Sequence, residues 1–164
     1  MAVDINSIQK ASSPNPFALL SARTPDGRDN LMAVSWWTYA SNHPPMVAVC
    51  LSKKGYSGAL IEGGGDFVLN LVGAELKDSA FACGTCSGRT VDKAREYGIA
   101  MEPSEEVASG RVAGAVASME CRLTQAVDAG DHRVYIAEVV ATHLSNGRAP
   151  LHAFNGYAAL KTAE

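Results

Sequence analysis

Two runs of strand-favouring residues, Leu31–Ala40 and Met46–Ser52, stand only a few positions apart, and that spacing constrains the fold more than any other feature of the chain. The first contains Val34, Trp36, Trp37, Thr38 and Tyr39, β-branched and aromatic side chains that suit a pleated surface. His43-Pro44-Pro45 ends it, because proline has no N–H to give to a strand ladder. The second run is almost wholly apolar, as expected of a strand buried on both faces. A parallel pair needs a crossover of about a dozen residues or more, usually a helix, and none separates these two. The pair is therefore antiparallel, which excludes a doubly wound parallel sheet.

The rest of the chain extends that pattern. Phe17–Ala22 reads as a short strand entering a Pro25-Asp26-Gly27 turn. Asp66–Val72 is a fourth strand. Met119–Asp128 alternates Met119, Cys121 and Leu123 against Glu120, Arg122 and Thr124, a half-buried strand with the charged set facing out. Asp128-Ala129-Gly130-Asp131 makes a hairpin turn, Arg133–Leu144 returns, and Asn146-Gly147 marks another turn. Helical signals are few. They are Ser57–Glu62, with Ser57 as N-cap and Gly63-Gly64-Gly65 as stop; Ala74–Phe81; and Val91–Tyr97, between Thr90 as N-cap and Gly98. Residues 1–15 read as a loose entry segment or a short helix. So many short strands would leave exposed edges that a barrel removes. The expectation is a mainly β fold, an antiparallel barrel with a few short helical insertions.

Composition bounds what such a fold can do. The 164 residues fit one domain, 1–164, that buries roughly 70% of its unfolded surface. With 47% hydrophobic and 19% charged residues the chain is globular rather than disordered. A net charge of −3 and no basic stripe argue against nucleic acid as a partner. Met46–Leu51 is far short of the ~20 apolar residues that span a bilayer, so no membrane is expected. The first ten residues lack a basic segment followed by an apolar one, which points to a cytoplasmic protein with reduced thiols. Cys50, Cys83, Cys86 and Cys121 are too few for a disulfide scaffold.

The chemistry-bearing segment is Ser52-Lys53-Lys54-Gly55-Tyr56-Ser57, where an apolar strand empties into a basic, hydroxyl-rich loop leading to a helix start. Free N–H groups and the positive end of the helix dipole favour an anion there, and a lysine adds full charge. Ser87, Arg89 and Lys93 form a second basic cluster at another helix start. An apolar wall beside phosphate donors suits a flat phosphorylated cofactor such as FMN; the competing reading is solvated surface charge near helix caps. Trp36 and Trp37 point to opposite faces of a strand, so one is core and the other can line a pocket or surface. Cys83-Gly84-Thr85-Cys86 lacks both the βαβ setting of a redox CxxC and the second pair that a structural zinc needs, and reads as two ordinary thiols. No spacing among the four histidines suggests a metal site. Gly63-Gly64-Gly65 follows a helix and precedes a strand, the reverse of a dinucleotide fingerprint. Asp131-His132, at the hairpin tip, is either a solvated turn or a group able to donate a proton near neutral pH.

Five segments in order, NLMAVSWWTYAS from Asn30, PPMVAVCLSKKGYS from Pro44, DFVLNL from Asp66, SGRTVDKAREYGI from Ser87 and GDHRVYIAEVV from Gly130, resemble the flavin reductase-like family, in its flavoredoxin branch of FMN-binding split barrels. The resemblance runs from about Phe17 to Leu144. It implies an antiparallel split β-barrel of Greek-key type that dimerises and holds FMN. By that resemblance Asn30, Met32, Ala33, Val34, Ser35 and Trp36 lie along the flavin ring. Cys50, Leu51, Ser52, Lys53, Tyr56 and Ser57 surround the ribityl chain and phosphate, joined by Ser87, Arg89 and Lys93. Asp131 and His132 lie where nicotinamide or an acceptor approaches, which makes His132 the expected catalytic residue. The implied activity takes a hydride or electrons from NAD(P)H, or from an upstream donor, onto FMN. From there they pass to free flavin, ferric iron or a protein. The alternatives are an electron carrier with no NAD(P)H site of its own and a non-enzymatic flavin-binding module. The implied partners are a small-molecule donor and acceptor and a second copy of the chain.

Overall fold

The computed structural model describes residues 3–145 and 147–163. The chain runs through α1 (Ile5–Ala11), β1 (Asn15–Pro16), β2 (Ala18–Arg23), β3 (Asp29–Val34), β4 (Trp37–Asn42), β5 (Pro45–Ser52), α2 (Tyr56–Gly64) and β6 (Asp66–Leu71). After a 3-10 turn at Ala74–Leu76 come α3 (Lys77–Cys83), α4 (Lys93–Glu96), β7 (Met101–Glu102) and β8 (Arg111–Val112). The long hairpin β9 (Ala117–Ala129) and β10 (His132–Leu144) follows, then β11 (Leu151–Phe154) and β12 (Ala159–Thr162). Among the described residues no helix is long and apolar enough to cross a membrane.

Seven strands form one antiparallel sheet in the order β3-β2-β6-β9-β10-β5-β4. Its two edge strands are consecutive in the chain, separated only by Ser35 and Trp36. In a flat sheet six inter-strand gaps would set those edges roughly 29 Å apart. Three residues of extended chain reach about 11 Å at most. The sheet must therefore curl until its edges meet, and because β3 and β4 do not pair, the barrel is split along that seam. A hydrogen bond from Cys50 N–H to Trp36 O (2.8 Å) ties the crossing to β5.

The barrel interior is filled from every strand of the sheet, with Leu20, Val49, Leu51, Phe67 and Leu69 wholly or almost wholly buried and Leu60 and Ile61 of α2 closing one end. Each such side chain contributes about 1.5–3 kcal/mol on burial. A second apolar layer lies outside the barrel. There Phe17, Leu19 and Leu31 meet Cys83 of α3 and Leu151 and Leu160 of β11 and β12. That layer fixes α3, and the loop that follows it, against β3. Between the layers Asn70 is fully buried and satisfied: its Nδ2 donates to Leu19 O (2.9 Å), and its Oδ1 accepts from Val112 N–H (3.0 Å) and Ser118 Oγ (2.9 Å).

Several sequence expectations change in detail. Leu31–Ala40 is two strands on opposite edges of the sheet rather than one, because the curl turns the chain at Ser35-Trp36. β5 is buried on one face only: Val47, Val49 and Leu51 face the interior, while Met46, Ala48, Cys50 and Ser52 are half-exposed. Ser57 lies inside α2, whose N-cap is Gly55, and Gly65 closes the helix in the left-handed conformation (φ 78°). The helix expected over Val91–Tyr97 is one turn, Lys93–Glu96, capped by Asp92, whose side chain accepts from Arg95 N–H, rather than by Thr90. Glu120, expected outward, is fully buried because the segment between β7 and β8 folds over it. The Glu105 and Glu106 N–H groups donate to its carboxylate (3.0 and 2.7 Å), and His143 Nε2 lies 2.7 Å away. Asn146 lies outside the described residues, so the turn expected there is left with Gly147 alone, at φ 91°.

Candidate functional site

The cleft that collects half of the sequence candidates encloses about 460 Å³ between β3, the β5–α2 loop and the segment leaving α3. Asn30, Met32 and Ala33 form its floor. As an edge strand, β3 pairs only with β2, so its outer N–H and C=O groups are open to a ligand.

One corner gathers groups of the kind that suit an anion. Gly55 caps α2 without any side-chain hydrogen bond, so the first N–H groups of that nine-residue helix are unclaimed and its dipole is uncompensated. Ser52, Lys54, Tyr56 and Ser57 line the cleft beside it. Ser87 and Lys93 face them from the opposite wall, together with Cys83, Gly84, Thr85, Cys86 and Gly88.

At the junction of floor and wall sits Asn30, whose Nδ2 donates to Ser57 Oγ (3.0 Å). Its Oδ1 is buried and has no hydrogen-bond partner among the described residues, a condition that costs about 1–3 kcal/mol unless a ligand supplies a donor. Gly88 packs so closely on this amide that a Cβ there would overlap Asn30 Oδ1. Lys93 is only 5% exposed, and its Nζ donates to Cys83 O (2.7 Å). Burial lowers its pKa below the usual lysine value, against the pull of the nearby Cys86 and Cys83 sulfurs. Among the described residues no carboxylate pairs with this ammonium.

Other candidates lie around the cleft. Lys53 and Arg89 face an adjoining pocket of about 320 Å³ that shares Ser52 and Gly55 with the cleft and contains Glu62, Asp128 and Arg133. There Lys53 Nζ lies 3.4 Å from Asp128, and Arg89 lies over the Tyr56 ring at 4.7 Å. Val34 and Leu51 point into the barrel, so they can offer a ligand only backbone groups. Cys50 is half-buried on the outer face of β5, which pushes its thiol pKa up, and Ser35 is half-buried at the seam.

Trp36 is 42% exposed and meets the His132 ring at 4.9 Å, so Trp36 is the outward residue of the pair and Trp37 is core. His132 pairs opposite Ser52 in the sheet, which sets it next to the anion corner. Its Nδ1 lies 2.7 Å from Asp131 Oδ1, and that contact lowers the Asp131 carboxyl pKa. The sequence left out the Gly84–Cys86 part of the wall and Gly88. Their signal was the adjacency of the Cys83…Cys86 spacing to Ser87-Gly88-Arg89, which places one continuous turn against β3.

Comparison with known proteins supplies the kinship. Residues 11–161 match the family model described as flavin reductase like domain. A protein of Aeropyrum pernix is 35% identical over 71% of this chain, and the match spans 45% of that protein's length. The flavin reductase of Pseudomonas putida is 31% identical over 77% of this chain and 71% of its own. Among solved structures, the flavoredoxin of Methanosarcina acetivorans superposes with a TM-score of 0.87 at 22% identity, covering all of this chain and 91% of its own. The chain belongs to the flavin reductase-like domain family and has its split-barrel fold.

Proposed function

We propose that the cleft binds FMN and that the protein is an FMN-dependent oxidoreductase. On this reading it takes a hydride from NAD(P)H, or electrons from an upstream donor, and delivers them to free flavin, ferric iron or a protein acceptor. One observation carries the reading: the buried, partnerless Asn30 Oδ1 lies on a floor of open strand edge, within one cleft of an uncapped helix N-terminus. A flavin offers ring N–H and carbonyl groups to such an edge and a phosphate to such a corner.

In this assignment each residue has a defined task. The β3 edge and Asn30 bind the polar rim of the ring system. Met32 and Ala33 give it an apolar floor and keep water off that face. Ser52, Lys54, Ser57 and the α2 N–H groups hold the phosphate, with Ser87 and Lys93 closing from the far wall. Lys53 and Arg89 act from the adjoining pocket, Arg89 by holding the Tyr56 ring. Bound FMN supplies the hydride and electron chemistry itself. Asp131 holds His132 Nδ1, which leaves Nε2 to exchange a proton with donor or acceptor at the rim.

Two surface features support a homodimer. Trp36, at the seam before β4, and Tyr39, on edge strand β4 with its ring against Trp37, are 42% and 67% exposed, and α1 buries none of its own residues. All four cysteines are free, which fits a reducing compartment such as the cytoplasm.

The test is the visible spectrum of the purified protein, followed by steady-state NADH and NADPH oxidation with FMN and ferric complexes as acceptors. Flavin absorbance with turnover supports the full reading. Bound flavin without turnover leaves a flavoredoxin-type carrier, and a colourless protein that takes up no added FMN refutes the assignment.

A further inference from the structure

The wall opposite the anion corner contains two thiols that the flavin reading does not use. Cys83 is the last residue of α3, and hydrogen bonds from Gly84 N–H to Phe81 O and from Thr85 N–H to Ala82 O (both 3.0 Å) carry tight turns on toward Cys86. Cysteines three apart on a helical turn have Cβ atoms about 5–6 Å apart. A disulfide needs about 3.5–4.5 Å, so closure asks for a shift of only about 1–2 Å at the end of the helix. Both residues line the cleft. Cys86 is the more accessible; its Sγ lies 3.2 Å from the Tyr97 hydroxyl. Cys83 is buried, and burial raises its thiol to about 11. The second observation is Lys93. The Lys93 residue is only 5% exposed, its ammonium has no carboxylate partner among the described residues, and its charge acts on these two sulfurs.

We propose that Cys86 and Cys83 are a peroxide-responsive dithiol whose closure to a disulfide reshapes the cleft wall. Hydrogen peroxide is the oxidant. The Cys86 sulfur attacks one peroxide oxygen: an S–O bond forms, the O–O bond breaks, and the departing hydroxide takes a proton to become water. The Cys83 sulfur then attacks the Cys86 sulfenic sulfur. An S–S bond forms, the S–O bond breaks, and a second water leaves with the Cys83 proton. Two thiols lose two electrons in total, and one peroxide becomes two waters. The Lys93 ammonium stabilises the anionic form of whichever sulfur is attacking. Closure draws Cys86 off Tyr97 and drags Ser87 and Gly88 with it, and Gly88 packs against Asn30. The oxidised protein therefore holds its cleft ligand less well, a consequence that rests on the FMN reading.

The test begins with the full-length, flavin-free protein, so that its chemistry is read independently of flavin binding. Hydrogen peroxide is titrated in, free thiols are counted with a maleimide, and peptides are mapped. The expected result is loss of two of the four thiols with a mass loss of two hydrogens and a Cys83–Cys86 linked peptide. In Cys83→Ser a sulfenic acid on Cys86 persists and is trapped by a dimedone-type reagent; in Cys86→Ser no linked peptide forms and Cys83 stays alkylatable after denaturation. FMN affinity of the oxidised protein falls about fivefold or more, and dithiothreitol restores it. Cys83 and Cys86 both remaining reduced while Cys50 oxidises overturns the proposal, as does a disulfide that leaves FMN affinity unchanged. Failure of the reduced protein to bind FMN at all counts against the flavin reading and leaves the thiol measurement standing.

Discussion

Replacing Gly88 by alanine tests the joint between cleft floor and wall without reference to any ligand. The three heavy atoms nearest the new Cβ all belong to Asn30, with Cγ at 2.7 Å and Oδ1 closer still. Gly88 is not among the glycines with positive φ, so alanine's backbone preferences add no penalty. The cost is therefore steric and falls on one amide. Displacing Asn30 breaks its bond to Ser57, worth about 0.5–1.5 kcal/mol. Overpacking a buried contact adds about 1–3 kcal/mol, so Gly88→Ala should destabilise by about 2–4 kcal/mol. Asn30→Ala alone should be nearly neutral, within about 1 kcal/mol, because loss of the Ser57 bond is offset by removal of the orphaned Oδ1. In the Asn30→Ala background the obstruction is gone. Gly88→Ala should then be neutral or stabilising by up to about 1 kcal/mol, through the unfolded chain. The pair should show a coupling of about 2–4 kcal/mol in urea unfolding of the four flavin-free proteins. Effects additive within about 0.5 kcal/mol would refute the contact. On the FMN reading Asn30→Ala also weakens FMN by one hydrogen bond, roughly two- to thirteenfold, so affinity drops while apo stability does not.

Three further expectations use other parts of the molecule. Lys54→Ala should weaken FMN binding by about 1.5–3 kcal/mol, the value of a charged hydrogen bond, and Lys53→Ala by clearly less, because Lys53 lies beside Asp128; equal losses in an FMN titration would contradict that placement. At Glu120 burial pushes the carboxyl pKa up, but the Glu105 and Glu106 N–H groups and His143 outweigh it and hold the pKa below the usual glutamate value. A lowered folded-state pKa gives stability that is present above the unfolded value and lost as pH falls through the folded one, so the acid limb should open within the ordinary carboxylate range and run to below it. Glu120→Gln should cost about 3 kcal/mol at neutral pH and flatten that acid limb; an unchanged profile would count against the buried carboxylate as its source. Trp36→Asp with Tyr39→Asp should shift the mass in light scattering from dimer to monomer without lowering the unfolding midpoint of the monomer; a wild-type monomer would remove the interface.

How much of this was legible before folding depends on the range of the signal. The hairpins were legible because their turns are local: prolines at 44 and 45, and Gly130 at φ 60°. The cleft's two chemical halves were legible as residue types, an apolar strand edge and a hydroxyl-lysine loop. What escaped was set by contacts distant in sequence. Nothing in Val34-Ser35-Trp36-Trp37 announces that the two sides of Ser35 belong to opposite sheet edges, since that break exists only because five other strands lie between them. Glu120 obeys the outward alternation of its strand, and only the segment over it, more than ten residues away, makes it core. Lys53 and Lys54 are indistinguishable as letters. The loop geometry sends one to Asp128 and the other into the cleft.

The seam at Ser35-Trp36 has a consequence for how the barrel holds its shape. Ordinarily the curvature of a sheet is the sum of many side-chain contacts and is blurred by each of them. Here a covalent tether of fixed length joins the two rims, so the tightness of the curl is written in the number of residues between Val34 and Trp37. Each residue inserted there would add about 3.5 Å of slack. The cleft floor lies on the rim at one end of that tether, and the exposed Trp36 lies within it. The approach of the two sheet rims is thus bounded by chain length, whatever drift the core allows.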